Sequence, residues 1–107
     1  MPFPPNVTRL PEGVLLDGLR AWVQQAPRSQ VVFIEALRDV TVPPHTHSEE
    51  WGCVLEGEIE MTIDGKTQTK RAGQEHHIPA NVVHSFAWRR GTRAVLFFDE
   101  PSRVKLK

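Results

Sequence analysis

The chain has a single cysteine, Cys53, so no internal disulfide can form and a disulfide-stapled secreted scaffold is excluded. A reducing, cytoplasmic location is the expectation that follows. Net charge is also missing. The 13 Lys and Arg residues balance 13 Asp and Glu, so no global field draws the chain to nucleic acid or to an anionic membrane, and neither is expected as a partner. Long apolar runs are absent. Stretches such as Val31-Val32-Phe33-Ile34 fall far short of the roughly 20 residues needed to cross a bilayer as a helix. The opening Met1-Pro2-Phe3-Pro4-Pro5 has neither a basic region nor an apolar one, so no secretory signal is expected.

What the chain does have is punctuation and histidine. Nine prolines and seven glycines interrupt 107 residues at short intervals, which argues against long helices. The length suits one ordinary domain. Residues 1–13, with Pro2, Pro4, Pro5 and Pro11, predict an extended lead-in. Residues 14–100 predict one domain, and 101–107 a loose tail.

Within 14–100 the pattern is that of strands. Asp17-Gly18 is a hairpin signal, and Leu19, Ala21 and Val23 then alternate with Arg20, Trp22 and Gln24. Val31 to about Leu37 is rich in β-branched residues. Pro43 and Pro44 are expected to break the next extended piece. Trp51 to Leu55 reads as a strand interior. Ile59, Met61 and Ile63 alternate with polar residues up to a second hairpin signal, Asp64-Gly65, and Lys66 to Arg71 returns as a polar edge strand. Short strands are also expected at His77-Ile78, Val82 to Trp88 and Arg93 to Phe98. Many short strands with regular turns predict an all-β sandwich or barrel.

His45 and His47 flank Thr46, and in a strand residues i and i+2 face the same side, so both imidazoles can reach one point. Glu50 can add a carboxylate oxygen, and His84, after Pro79 on a separate strand, can close the set if the sheet folds back. Imidazole plus carboxylate suits a divalent first-row metal.

These residues fall into two motifs that resemble those of the cupins, specifically the small one-domain kind. The family's first motif reads Gly, five residues, His-x-His, three or four residues, Glu, six residues, Gly. Here His45, Thr46 and His47 supply the His-x-His, and Glu50 and Gly57 the second half. The second motif reads Gly, five residues, Pro-x-Gly, two residues, His, three residues, Asn. It is matched in order by Gly73, Pro79, Asn81 and His84, and the resemblance covers about residues 30–98. Four positions depart from the pattern. Asp39 and Asn81 replace glycines, only Ser48 and Glu49 separate His47 from Glu50, and Trp88 replaces the final asparagine. Asn81 tolerates the left-handed backbone such a turn needs. Glu50 is preferred over Glu49 as the carboxylate ligand because its spacing to Gly57 matches, and Glu49 stays as the alternative.

The resemblance implies an antiparallel jelly-roll β-barrel holding one divalent ion (iron, manganese, nickel, zinc or copper) on His45, His47, Glu50 and His84. It also implies a small-molecule ligand and pairing into a homodimer, with Trp22, Trp51 and Trp88 on an outer sheet face. Three imidazoles and one carboxylate leave a six-coordinate ion two open positions. The leading functional expectation is a metal-dependent enzyme of oxygenase, isomerase, decarboxylase or lyase type, acting on a small polar metabolite, with His77 or Glu49 moving a proton. The alternatives are a binding or sensing module without turnover, and a purely structural metal.

Other residues are expected to be less informative. Of the adjacent His76 and His77, at most one can look inward. Cys53, three residues past Glu50, is expected on the opposite face as a small buried hydrophobe. Arg89, Arg90 and Arg93 around Gly91 are expected at a solvated hairpin tip. Phe33, Met61, Phe86 and Phe98 are expected mostly in the core, with some walling a pocket.

Overall fold

A computed structural model describes residues 2–107. It contains one short helix, α1 (Pro5–Thr8), and strands β1 (Glu12–Val14), β2 (Leu19–Gln25), β3 (Gln30–Ala36), β4 (Val40–His45), β5 (Glu50–Glu56), β6 (Glu58–Ile63), β7 (Lys66–Arg71), β8 (Glu75–Ile78), β9 (His84–Trp88), β10 (Arg93–Phe98) and β11 (Lys105–Leu106). They form a seven-stranded sheet, β11-β1-β2-β3-β10-β5-β8, and a four-stranded sheet, β4-β9-β6-β7. All pairings are antiparallel. The architecture is the expected all-β jelly roll.

Alternation decides what faces the space between the sheets. Val32, Ile34 and Ala36 of β3 point in, as do Ile59 and Met61 of β6 and Ala94, Leu96 and Phe98 of β10. The Asp64-Gly65 turn joins β6 to β7 with both residues at positive φ (51° and 79°), the geometry whose twist suits a two-residue hairpin. β7 is then the polar edge that the sequence predicted.

Four local expectations need correcting. The lead-in contains α1 and most of β1. Phe3 packs edge-on against Trp22 and Phe33, each at 5.8 Å between ring centroids. Trp22 and Phe33 therefore lie on the outer face of the large sheet, beneath Phe3, and neither belongs to the inner core. Nor is the tail loose. β11 pairs with β1, and Val104 is buried. The buried Gln30 amide holds the Val104 backbone at both ends: Nε2 donates to Val104 O at 2.8 Å, and Val104 N donates to Oε1 at 2.9 Å. Gln30 is distant in sequence, so local pattern carries no sign of this clamp. The arginine-rich segment around Gly91 is a crossover, because β9 and β10 belong to different sheets. Arg89 and Arg90 are exposed there, while Arg93 pairs with Glu56 at 3.0 Å.

Candidate metal centre

The two prolines expected to end a strand instead shape one. β4 runs through Pro43 and Pro44 to His45, but its register against β9 shifts on the way: Val42 pairs with Phe86, and His45 with His84. The extra residue is a β-bulge, placed where proline has no N–H to give to the ladder. The bulge has a direct consequence for the site. Simple alternation from Val42 would put position 44 inward and His45 outward; the one-residue shift brings His45 round to the cavity that Val42 also lines.

His47 lies beyond the end of β4, so the same-face strand argument reaches only its first histidine. The loop holding His47 is fixed by the turn before β9, where Asn81 N donates to His47 O at 2.9 Å. Asn81 has φ of 66°, the left-handed conformation expected of the residue standing where the motif has glycine. That turn therefore positions His47 and His84 together.

All three imidazoles are oriented in the same way. Nδ1–H donates to a backbone carbonyl in each: His45 to Pro43 O at 2.8 Å, His47 to Ser48 O at 2.7 Å and His84 to Val82 O at 2.9 Å. This fixes the tautomer and leaves each Nε2 with a lone pair. His47 Nε2 and His84 Nε2 are 3.0 Å apart. Two lone pairs at that distance repel unless a cation lies between them. Two nitrogen ligands at right angles on an ion with bonds of about 2.1 Å would themselves be about 3.0 Å apart. One ligand atom from each of His45, His47 and His84 lies within 4.8 Å of the others, so the three are positioned to bind a metal ion. Burial of the His84 ring holds its pKa below the usual imidazole value, which keeps it in the metal-binding form.

Glu50, the expected fourth ligand, stands beside this cluster. Its side chain is 1% exposed, with Oε1 3.3 Å from His47 Nε2 and Oε2 2.7 Å from His76 Nε2. Burial alone would raise its pKa, but the neighbouring His47 ring and the hydrogen bond from His76 Nε2 outweigh that and hold it at about 2. Glu49 points the other way and pairs with His77 on the outer surface, the two side chains being 52% and 53% exposed. The proton-moving role expected for His77 or Glu49 is thus misplaced, since neither faces the cavity. The inward histidine of the adjacent pair is His76, on the same side of β8 as buried Ile78. Gly52 of β5 makes room for it: a Cβ there would lie 2.5 Å from His76 Cε1 and 2.5 Å from Leu96 Cδ2.

His45 and His47 open onto a cavity of about 370 Å³ between the sheets, walled by apolar residues that include Leu19, Ile34, Phe86, Leu96 and Phe98. Trp88 also lines it, which corrects its expected place on an outer face. Strand alternation with His84 and Phe86 was the signal available for that. Cys53 does face outward, half-buried rather than buried.

The sequence profile of the cupin domain (Cupin_2) matches residues 34–99. This chain is a cupin. Among solved structures, this cupin is similar to an RmlC-like cupin from Shewanella frigidimarina, with TM-score 0.78 and 21% identity over 90% of this chain and 87% of that one. KdgF from Halomonas sp. is similar at TM-score 0.72 and 18% identity, over 84% of this chain and 87% of that one. Oxalate decarboxylase from Bacillus subtilis, which has Mn(II) centres, is similar at TM-score 0.72 and 19% identity, over 90% of this chain and 29% of that one. A search of curated proteins finds no match. At these identities the likeness to the solved structures establishes the fold.

Proposed function

We propose that this cupin binds one divalent transition-metal ion through His45, His47, Glu50 and His84 and is a metal-dependent enzyme acting on a small metabolite in its cavity. The observation that carries the reading is the shared tautomer of the three histidines, whose free Nε2 atoms converge where His45 and His47 line an apolar cavity. Glu50 joins the set through Oε1, because its other oxygen is occupied by His76. With three neutral imidazoles and one carboxylate, a bound dication keeps net charge near +1 and supplies Lewis acidity to a substrate oxygen. The chain's own contribution is to hold Glu50 ionised, fix the histidine tautomers and exclude water with apolar walls.

Elemental analysis of protein purified without added metal tests the site. About one ion per chain is expected, falling to background in His47→Ala and His84→Ala; metal retained in both variants would refute the assignment. Turnover is tested by incubating metal-loaded protein with a metabolite panel. One observation favours a binding or sensing module instead: Glu50, the carboxylate lining the cavity, is already held by His76 through Oε2. Recovery of unaltered ligand would support that reading.

Two further proposals concern the assembly. Trp51 and Phe97 are register partners on the outer face of the large sheet, and each is 42% exposed. They support a homodimer formed through this face, which light scattering of wild type and Trp51→Glu would test. Among the described residues no helix is long and apolar enough to cross a membrane. A cytoplasmic location is proposed on the lone free thiol of Cys53.

A further inference from the structure

Arg103 is the charged residue that the metal site does not explain. The tail carrying it is locked down by the Gln30–Val104 clamp, by Gln25 Nε2 donating to Pro101 O at 2.8 Å, and by the β1–β11 pairing. A residue held so firmly has a defined position. Arg103 lines the interior cavity, and together with His45 and His47 it also lines the cleft outside. It therefore stands with those two histidines where cavity and solvent meet.

Its hydrogen-bonding state is unusual for this chain. Arg20, Arg38 and Arg93 each have a carboxylate partner, and Arg9, Arg28 and Arg90, which form no ion pair among the described residues, are exposed to water. Arg103 is half-buried, and none of the ion pairs among the described residues includes it. Its Nε is buried without a hydrogen-bond partner. Glu100, the nearby acid in the same cleft, instead accepts from Ser48 Oγ at 2.7 Å. The guanidinium carbon lies 5.7 Å from the centre of the Phe98 ring, and that ring packs edge-on against His47 at 5.4 Å. A second cavity-lining residue, Trp88, also has a buried N–H without a partner.

A buried donor left without a partner is destabilising, so two of them around one cavity call for an acceptor. The spare donors and the positive charge at the cavity are those of Trp88 and Arg103; its carboxylate is hydrogen-bonded to His76, and the acceptor Nε2 atoms of its histidines are those assigned to the metal. Its volume is near the lower end of the roughly 300–1,000 Å³ typical of small-molecule sites. Arginine's planar fork matches the two oxygens of one carboxylate.

We propose that Arg103 anchors the carboxylate of a small, otherwise largely apolar organic acid whose body fills the cavity beside the histidines. This rests on reading the cavity as the ligand site and narrows the substrate class from a polar metabolite to a monocarboxylate with an apolar body. Trp88 Nε1 is a further free donor at the same cavity.

The test is calorimetric titration of metal-free and Co²⁺-loaded protein with 3-methylbutanoate and with its neutral counterpart, 3-methylbutanamide, at low ionic strength. The acid is expected to bind both forms and the amide at least ten-fold more weakly. Arg103→Gln should weaken binding of the acid ten-fold or more in both forms without lowering Co²⁺ content, and Arg103→Lys should restore part of it. An independent readout needs no variant: the Arg103 Nε–H resonance of ¹⁵N-labelled wild type should move on adding the acid and stay in place with the amide. Equal affinity of Arg103→Gln and wild type for the acid, no binding of the acid to wild type, or an unmoved Arg103 resonance would each overturn the proposal. Failure to load Co²⁺ with Arg103-dependent binding intact would overturn the metal reading alone. Normal loading with Arg103-independent binding would overturn this inference alone.

Discussion

Two glutamate–histidine pairs sit side by side in this cupin and face opposite ways. Glu50 and His76 meet inside the barrel with both side chains 1% exposed, whereas Glu49 and His77 meet on the surface with both about half exposed. The residue types are the same and the members are sequence neighbours. On the surface, water screens the pair and leaves it worth little. Inside, the carboxylate has lost its hydration, so its hydrogen bond from His76 must replace it. The same chemistry is optional on one face of β5 and β8 and obligatory on the other.

The largest effect should come from removing the two carboxylates in turn. Glu50→Ala leaves His76 buried without its partner and should destabilise the metal-free protein by about 3 kcal/mol, whereas Glu49→Ala should stay within about 0.5 kcal/mol. Urea unfolding of the two variants measures this, and similar values would erase the contrast. Next come the histidines. His76 touches the proposed ligand Glu50 from behind, so His76→Ala should weaken metal binding about 10–100-fold, while His77→Ala should leave it unchanged. Competition with a chelating dye reads both.

Gly52 and Cys53 extend the comparison to the strand that carries the inner pair. Gly52→Ala forces a Cβ against His76 and Leu96 and should cost about 1–3 kcal/mol. Cys53→Ala, on the outer face, should be close to neutral in the same unfolding assay.

The inner pair also responds to acid. The Glu50 carboxyl is held at about 2 against an ordinary value of 4.5, so the folded protein binds this proton more weakly than the unfolded chain does. Its stabilising contribution is therefore complete above about 4.5 and is lost as pH falls towards 2. Glu50→Gln should make the acid limb of a metal-free stability curve shallower than that of wild type, and tryptophan fluorescence would follow it.

Much of this could be read from the residues in order. Alternation in Leu19–Val23 and Ile59–Ile63 and the turn signals at Asp17-Gly18 and Asp64-Gly65 mark strands and hairpins because the pleat repeats every two residues. The paired motifs mark the histidines. Where alternation met an irregularity it could not be followed. The bulge at Pro43-Pro44 changes which face the next residue takes, and a strand break and a bulge look alike in sequence. The choice between Glu49 and Glu50 was open for a related reason, since a shortened loop resets the phase between His47 and β5.

The sequence by itself determined the all-β class, the cupin motifs and the identity of the clustered histidines, because each depends on local periodicity or on fixed spacing. Only the tertiary structure decided that Glu50 and His76 face inward, that Trp88 lines the cavity, and that the tail carries Arg103 to its mouth. Those outcomes depend on contacts between residues far apart in the chain, such as Gln30 with Val104 and Gly52 with His76, and no local pattern encodes which distant surface a residue will meet.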